Sequence, residues 1–117
     1  MVSNDKCLFC RIASGEIAAK KVYEDDQVFA FHDINPQAPT HVLVIPRKHI
    51  PSLDDLDPNE APIIGTVLVR VAQIARDLHL TSDGYRVVCN TGEAAGQTVF
   101  HIHFHLLGGR SFGWPPG

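Results

Sequence analysis

"VFHIHFHLL", Val99 to Leu107, places histidine at every second position: His101, His103 and His105. That period is the period of an extended strand, whose side chains point alternately to its two sides. The spacing therefore predicts a strand over 99–107 with the three imidazoles on one face and Ile102, Phe104 and Leu106 on the other, toward a core. Neighbouring histidines of the run would stand ~6.7 Å apart at Cα and the outer pair ~13 Å. One metal ion could join a neighbouring pair, hardly all three. Three readings stand beside each other: polar residues on a solvent-facing sheet surface, an H-x-H metal hydrolase needing a further ligand and an open coordination position, or a nucleophilic imidazole. In the last, a neutral ring with one nitrogen held by a backbone carbonyl attacks phosphorus, while flanking imidazoles stabilise negative charge and assist the leaving group.

The residues upstream favour the third. "NTGEAAGQT", Asn90 to Thr98, has Gly92 and Gly96 for close backbone approach to an anion, amide donors in Asn90 and Gln97, and a hydroxyl in Thr98. Working further outward, "GYRVVCN" predicts a strand containing Cys89, and "THVLVIP" a β-branched strand that stops at Pro46. "KVYEDDQVFAFHDI" predicts a hairpin turning at Asp25-Asp26-Gln27. "CLFCRIASGE" predicts a short helix ended by Gly15. From Ile63, the residues Ile64, Val67, Leu68, Val71, Ile74, Ala75 and Leu78 fall on one helical face, with starting residues in "DPNEAP". Connections too short for parallel crossovers then predict an α+β fold: a five-stranded antiparallel sheet with one long and one short helix.

A length of 117 residues suits one domain, 1–117. The composition, 44% hydrophobic and 20% charged, is that of a soluble globular chain, and a formal charge of -3 gives no broad basic footprint for nucleic acid. No signal-peptide core or membrane-length apolar stretch is visible, and three cysteines make a poor disulfide framework, so no membrane partner and a cytoplasmic location are expected.

"HIHFHLL" resembles the His-φ-His-φ-His-φ-φ motif, φ being apolar, that names the histidine triad (HIT) superfamily. "AFHDINPQAPTHVLVIP" and "LLGGRSFGWPPG" further resemble its Hint branch, the purine nucleoside phosphoramidases. The resemblance implies a homodimer that hydrolyses purine nucleoside 5′-phosphoramidates through a nucleotidyl-histidine, with His103 as nucleophile, His105 on the phosphate, and no catalytic cofactor. It places Asn90, Gly96, Gln97 and Thr98 around phosphate and leaving group, and His41 in support of the nucleophile. Asp33 would accept from the ribose hydroxyls, and Phe9, Phe31, His32 and Ile34 would hold the purine. Trp114 would reach across the dimer to the partner's leaving group. A dinucleoside polyphosphate hydrolase or nucleotidyl transferase of the same superfamily, and a nucleotide-binding regulator with little turnover, are the alternatives.

Cys7 and Cys10 stand at metal-ligand spacing without a second close pair, so by spacing alone zinc, redox use and core packing are all open. Some bacterial HIT proteins resemble this chain in joining such cysteines to the His of a "KHI" segment and the first triad histidine. The resemblance thus implies a structural zinc on Cys7, Cys10, His49 and His101. Cys89 is expected to be a packing residue.

Overall fold

The computed structural model describes residues 4–117; the first three positions of the expected 1–117 domain lie outside the described residues. Its strands are β1 (Lys21–Glu24), β2 (Val28–His32), β3 (Thr40–Pro46), β4 (Tyr85–Val88) and β5 (Phe104–Gly108). They form one antiparallel sheet in the order β1-β2-β3-β5-β4, with helices α1 (Leu8–Ala13) and α2 (Ala61–Asp77). This is the expected α+β architecture.

Local chemistry explains the elements. The β1–β2 turn closes on Asp25, whose Oδ1 accepts the amides of Gln27 and Val28 at 2.8 Å each. α1 starts at Cys7, whose sulfur accepts the Cys10 amide, and ends before Gly15 in a positive-φ conformation. Asp57 and Glu60 form a capping box around the short 3₁₀ turn that leads into α2, and Pro62 occupies its first turn. α2 buries Val67, Val71, Ile74 and Ala75, but Leu68, expected on the same stripe, is 45% exposed. A Cβ on Gly65 would meet nothing within 4 Å, so no close packing demands glycine there.

Strand alternation sorts the core into two layers. Val28, Ala30, Val42, Val44, Ile102, Phe104 and Leu106 pack with α2, whereas Phe29, Phe31, Leu43 and Ile45 pack with Cys7, Phe9, Cys10 and Ile12 of the α1 region. The sheet is thus covered on both faces, and the histidine face is the α1 face.

Two strand expectations change. β5 begins at Phe104, so His101 and His103 precede the ladder. Continuing its register past Val44↔Phe104 would set Ile102 opposite Pro46, which has no N–H to give. The Ile102 amide instead donates to Ile50 O at 2.6 Å. β4 ends at Val88, so Cys89 lies just beyond the strand, where it packs partly buried against the α2 core as a free thiol.

Candidate active site

The histidines do not form a solvent-facing row. His101 is fully buried and His103 only 7% exposed, and both rings meet the edge of Phe9, at centroid distances of 6.1 and 5.0 Å. His103 and His105 lie 5.0 Å apart, and His41 on β3 reaches His105 diagonally across the β3–β5 ladder.

Hydrogen-bond partners fix where each ring carries its proton. His103 Nδ1 lies 2.8 Å from the carbonyl of His101, which can only accept, so Nδ1 is protonated and the lone pair is on Nε2. The Gln37 amide donates to His41 Nδ1 at 3.0 Å, so His41 carries its proton on Nε2. That Nε2–H donates to His105 Nδ1 at 2.8 Å, with Asp33 Oδ2 at 3.4 Å beside it. His105 is therefore protonated on Nε2, a buried atom with no hydrogen-bond partner among the described residues. The result is a free lone pair on His103 beside an unspent donor on His105.

Electrostatics keep these rings neutral. Burial pushes His103 below the ordinary imidazole range, against the opposing pull of the His101 carbonyl and Asp33. Burial, reinforced by neighbouring His103 and His41, takes His105 down to about 4. Burial also lowers His41, partly offset by Asp33.

A cavity of about 810 Å³ opens beside this group, lined by Phe31, His32, Asp33, Ile34 and His41 together with Ile12, Lys20 and the loop prolines Pro36 and Pro39. Four expected substrate residues thus share one apolar hollow with a carboxylate at its edge. Asp33 Oδ1 accepts the Asn35 amide at 2.8 Å, which fixes the carboxylate's orientation.

The other expected site residues lie outside the cavity lining or make further contacts of their own. Phe9 does not line the cavity: α1 buries it edge-on behind Phe31, at 5.4 Å, and against His103. His41 contacts His105 and Asp33 rather than the nucleophile. The Gln97 side chain accepts from Gly92 N at 2.9 Å in its own loop and donates to Val99 O at 3.2 Å and, across to another segment, to Pro51 O at 2.8 Å. Asn90 lies beside Gly96, which takes a left-handed conformation with φ 98°, away from the large cavity. Thr98 lines a separate groove of about 540 Å³ with Cys7, His49 and Phe100. Trp114 is 84% exposed and so is not packed on its own chain. The Gln37 amide was missed from sequence; its signal was the flanking pair Pro36 and Pro39, which have no N–H of their own.

Cys7, Cys10, His49 and His101 meet behind the nucleophile, with all four ligand atoms within 4.8 Å of one another, and could hold a metal ion. His101 donates Nε2–H to Pro46 O at 2.7 Å, turning the Nδ1 lone pair toward the Cys7 and Cys10 sulfurs at 3.4 and 3.5 Å. His49 Nδ1 is 3.4 Å from the Cys10 sulfur. Sulfur and imidazole nitrogen sharing a tetrahedral zinc ion would stand ~3.5 Å apart, so the donor set fits that metal in both chemistry and spacing. Burial raises the Cys10 thiol, which a bound cation would reverse.

Comparison with known proteins agrees with this geometry. The HIT domain family matches residues 14–112. An uncharacterized HIT-like protein of Synechocystis sp. is 49% identical over 110 residues, 94% of this chain and 96% of that protein. The purine nucleoside phosphoramidase of Escherichia coli is 44% identical over 109 residues, 93% and 92% of the two chains. A HIT family hydrolase from Legionella pneumophila superposes with a TM-score of 0.94 at 49% identity, covering 96% of this chain and all of the other. With its fold and nearly its whole length in common with these proteins, the chain belongs to the HIT family of nucleotide hydrolases.

Proposed function

We propose that this chain hydrolyses purine nucleoside 5′-phosphoramidates through a covalent intermediate on His103. The observation that carries the reading is the pairing of a free Nε2 lone pair on His103 with the unpartnered Nε2–H of His105. His103 Nε2 attacks the α-phosphorus, and the P–N bond breaks as the amine leaves with a proton taken from solvent water. As the ring becomes cationic, the His101 carbonyl stabilises its Nδ1–H. His105 donates to a phosphoryl oxygen where negative charge accumulates. Water then attacks the same phosphorus, loses a proton to solvent, breaks the P–Nε2 bond so that its electron pair returns to the ring, and releases the nucleoside monophosphate. Asp33 binds the ribose hydroxyls, and the hollow around Phe31, His32 and Ile34 takes the purine. The name of the 44% identical relative supports this substrate class.

Cys7, Cys10, His49 and His101 would hold a structural zinc ion, whose four protein ligands leave no place for substrate. The protein is a single-domain cytoplasmic homodimer in this reading. The free thiols fit a reducing compartment, and among the described residues no helix is long and apolar enough to cross a membrane. Exposed Trp114 would then contact the partner's leaving group.

The test is turnover of adenosine and guanosine phosphoramidates against diadenosine polyphosphates, with rapid quenching to trap the nucleotide on a peptide containing His103. Preference for the dinucleotides, or an adduct on another residue, overturns the reading. Removing residues 112–117 is expected to reorder amine leaving groups in kcat/KM while leaving affinity for adenosine monophosphate unchanged. An unchanged order in an intact dimer would remove the role given to Trp114.

A further inference from the structure

The proton on His105 Nε2 is held by a run of contacts that begins outside the cavity. It depends on the tautomer of His41, which the Gln37 amide at 3.0 Å from Nδ1 and the Asp33 carboxylate at 3.4 Å from Nε2 both favour. Pro36 and Pro39 contribute no donor, so the Ala38 amide is the one other backbone donor in the 36–39 stretch. If Gln37 moved away, His41 could protonate Nδ1 and turn a lone pair on Nε2 toward His105. The His105 proton would then shift to Nδ1, and Nε2 would face the substrate as an acceptor, the wrong polarity for an anionic oxygen.

Two contacts from the segment after β5 brace this loop. Gly109 has φ 91°, and a Cβ on it would come within 2.9 Å of Pro39 Cβ, so the chain here is pressed against the loop. Arg110 Nε donates to Gln37 O at 3.0 Å. The guanidinium is itself oriented, lying 4.3 Å from the Phe112 ring centroid and donating through Nη1 to Ser111 O at 2.9 Å. Arg86 packs on the same ring at 5.2 Å and donates to Gly113 O at 2.8 Å, tying this segment back to β4. On the other side of Gln37, its side-chain amide donates to Asn35 O at 3.0 Å, and the Asn35 amide orients Asp33.

We propose that Arg110 is a positioning residue of the active site: by pinning Gln37 it fixes the His41 tautomer and thereby keeps the His105 proton directed at the substrate. The inference rests on the reading of His105 as a phosphate donor but makes a separate claim about proton placement. Long-range proton–nitrogen NMR of the imidazoles tests it directly. The unmodified protein should show both His41 and His105 protonated on Nε2, and Arg110→Ala should show mixed tautomers at both rings. With an adenosine phosphoramidate, kcat should fall ~5-fold, the scale of one net hydrogen bond, while KM stays within about twofold. Arg110→Lys, which keeps a donor, should restore most of the tautomer order and rate. Unmixed tautomers in Arg110→Ala overturn the proposal, even if turnover falls, because the loss would then be structural. If the unmodified protein turns over no phosphoramidate, the functional reading fails and the NMR comparison alone decides the role of Arg110.

Discussion

On the α2 side of the sheet, Val28, Ala30, Val42, Val44, Phe104 and Leu106 meet Val67, Val71, Ile74 and Ala75 in an apolar layer. On the α1 side, the same strands and the segment before β5 present His41, His101, His103 and His105 to a helix carrying Cys10, with Cys7 as its cap. Strand alternation lets one backbone serve both layers, and the layers do different work. The α2 layer supplies burial free energy through apolar side chains. The α1 layer holds neutral imidazoles whose protons are directed by backbone carbonyls and amides. Stability and chemistry should therefore separate by face, and the largest effects available test that separation.

His103→Ala should lower turnover by at least ~10³-fold, because the covalent route has no other nucleophile in place. Its thermal midpoint should stay near that of the unmodified protein, and adenosine monophosphate should still bind through the cavity around Phe31 and Asp33. Turnover near normal in folded protein would refute covalent catalysis by this ring. The opposite-face counterpart is Ile74→Ala, which empties a buried site on α2 at a cost of about 2–5 kcal/mol by denaturant titration. Its kcat, measured on the folded fraction, should hardly change. An Ile74→Ala protein that keeps its stability but loses activity would break the division between the faces.

The cluster of Cys7, Cys10, His49 and His101, which could hold a metal ion, belongs to the α1 face but joins chemistry to stability, since it ties α1 to the segments around His49 and His101. Cys7→Ser should cost about 2–3 kcal/mol, in the range of large single-residue effects, and lower metal content below one zinc per chain. Chelation should bring the unmodified protein down to the variant's midpoint and leave the variant unmoved, with partial turnover surviving in both. Metal-free protein of undiminished stability would make the four residues an ordinary packed cluster.

How far the sequence foretold these two faces depended on the kind of contact. Side-chain period alone placed His101, His103 and His105 on one face and Ile102, Phe104 and Leu106 on the other, as found. The hairpin at Asp25 and both helices were legible from turn chemistry and apolar spacing. The start of β5 at Phe104 was not, because it depends on Pro46 standing across the sheet in a register that only the folded chain defines. Gln97 looked like a free amide donor for the same reason: the carbonyls that occupy it belong to Pro51 and Val99, and no pattern in "GEAAGQT" announces them. Phe9 was expected beside Phe31 around the purine; it packs against Phe31 and against His103, a contact that spacing in the sequence does not announce. His41 was recognised by resemblance, yet its service to His105 rather than His103 required the ring-to-ring distance.

The smallest effect concerns the β1–β2 turn, where the two faces are tied together. Asp25 Oδ2 accepts from Arg70 Nε of α2 at 2.8 Å and from the Tyr23 hydroxyl at 2.7 Å. Its backbone carbonyl accepts from Arg47, which also donates to Ala13 O at the end of α1. Burial disfavours the charged carboxylate, but Arg70, Tyr23 and the amides of Gln27 and Val28 together outweigh it and hold the group well below the usual range. A carboxyl lowered in the folded state stabilises the fold fully above its unfolded value of about 4, and the contribution fades as pH falls through the folded value. Asp25→Asn should thus cost about 1 kcal/mol near neutral pH, a modest figure because the pair is partly exposed and screened. The gap in stability between the two proteins should stay level from pH 7 to 5 and narrow progressively below pH ~4. Denaturant titrations across that range, with both proteins kept folded at the start of each, measure the gap. A difference that does not change with pH would mean that Asp25 acts through the geometry of its amide-capped turn, which asparagine also disturbs, and that its charge contributes nothing to holding the two faces together.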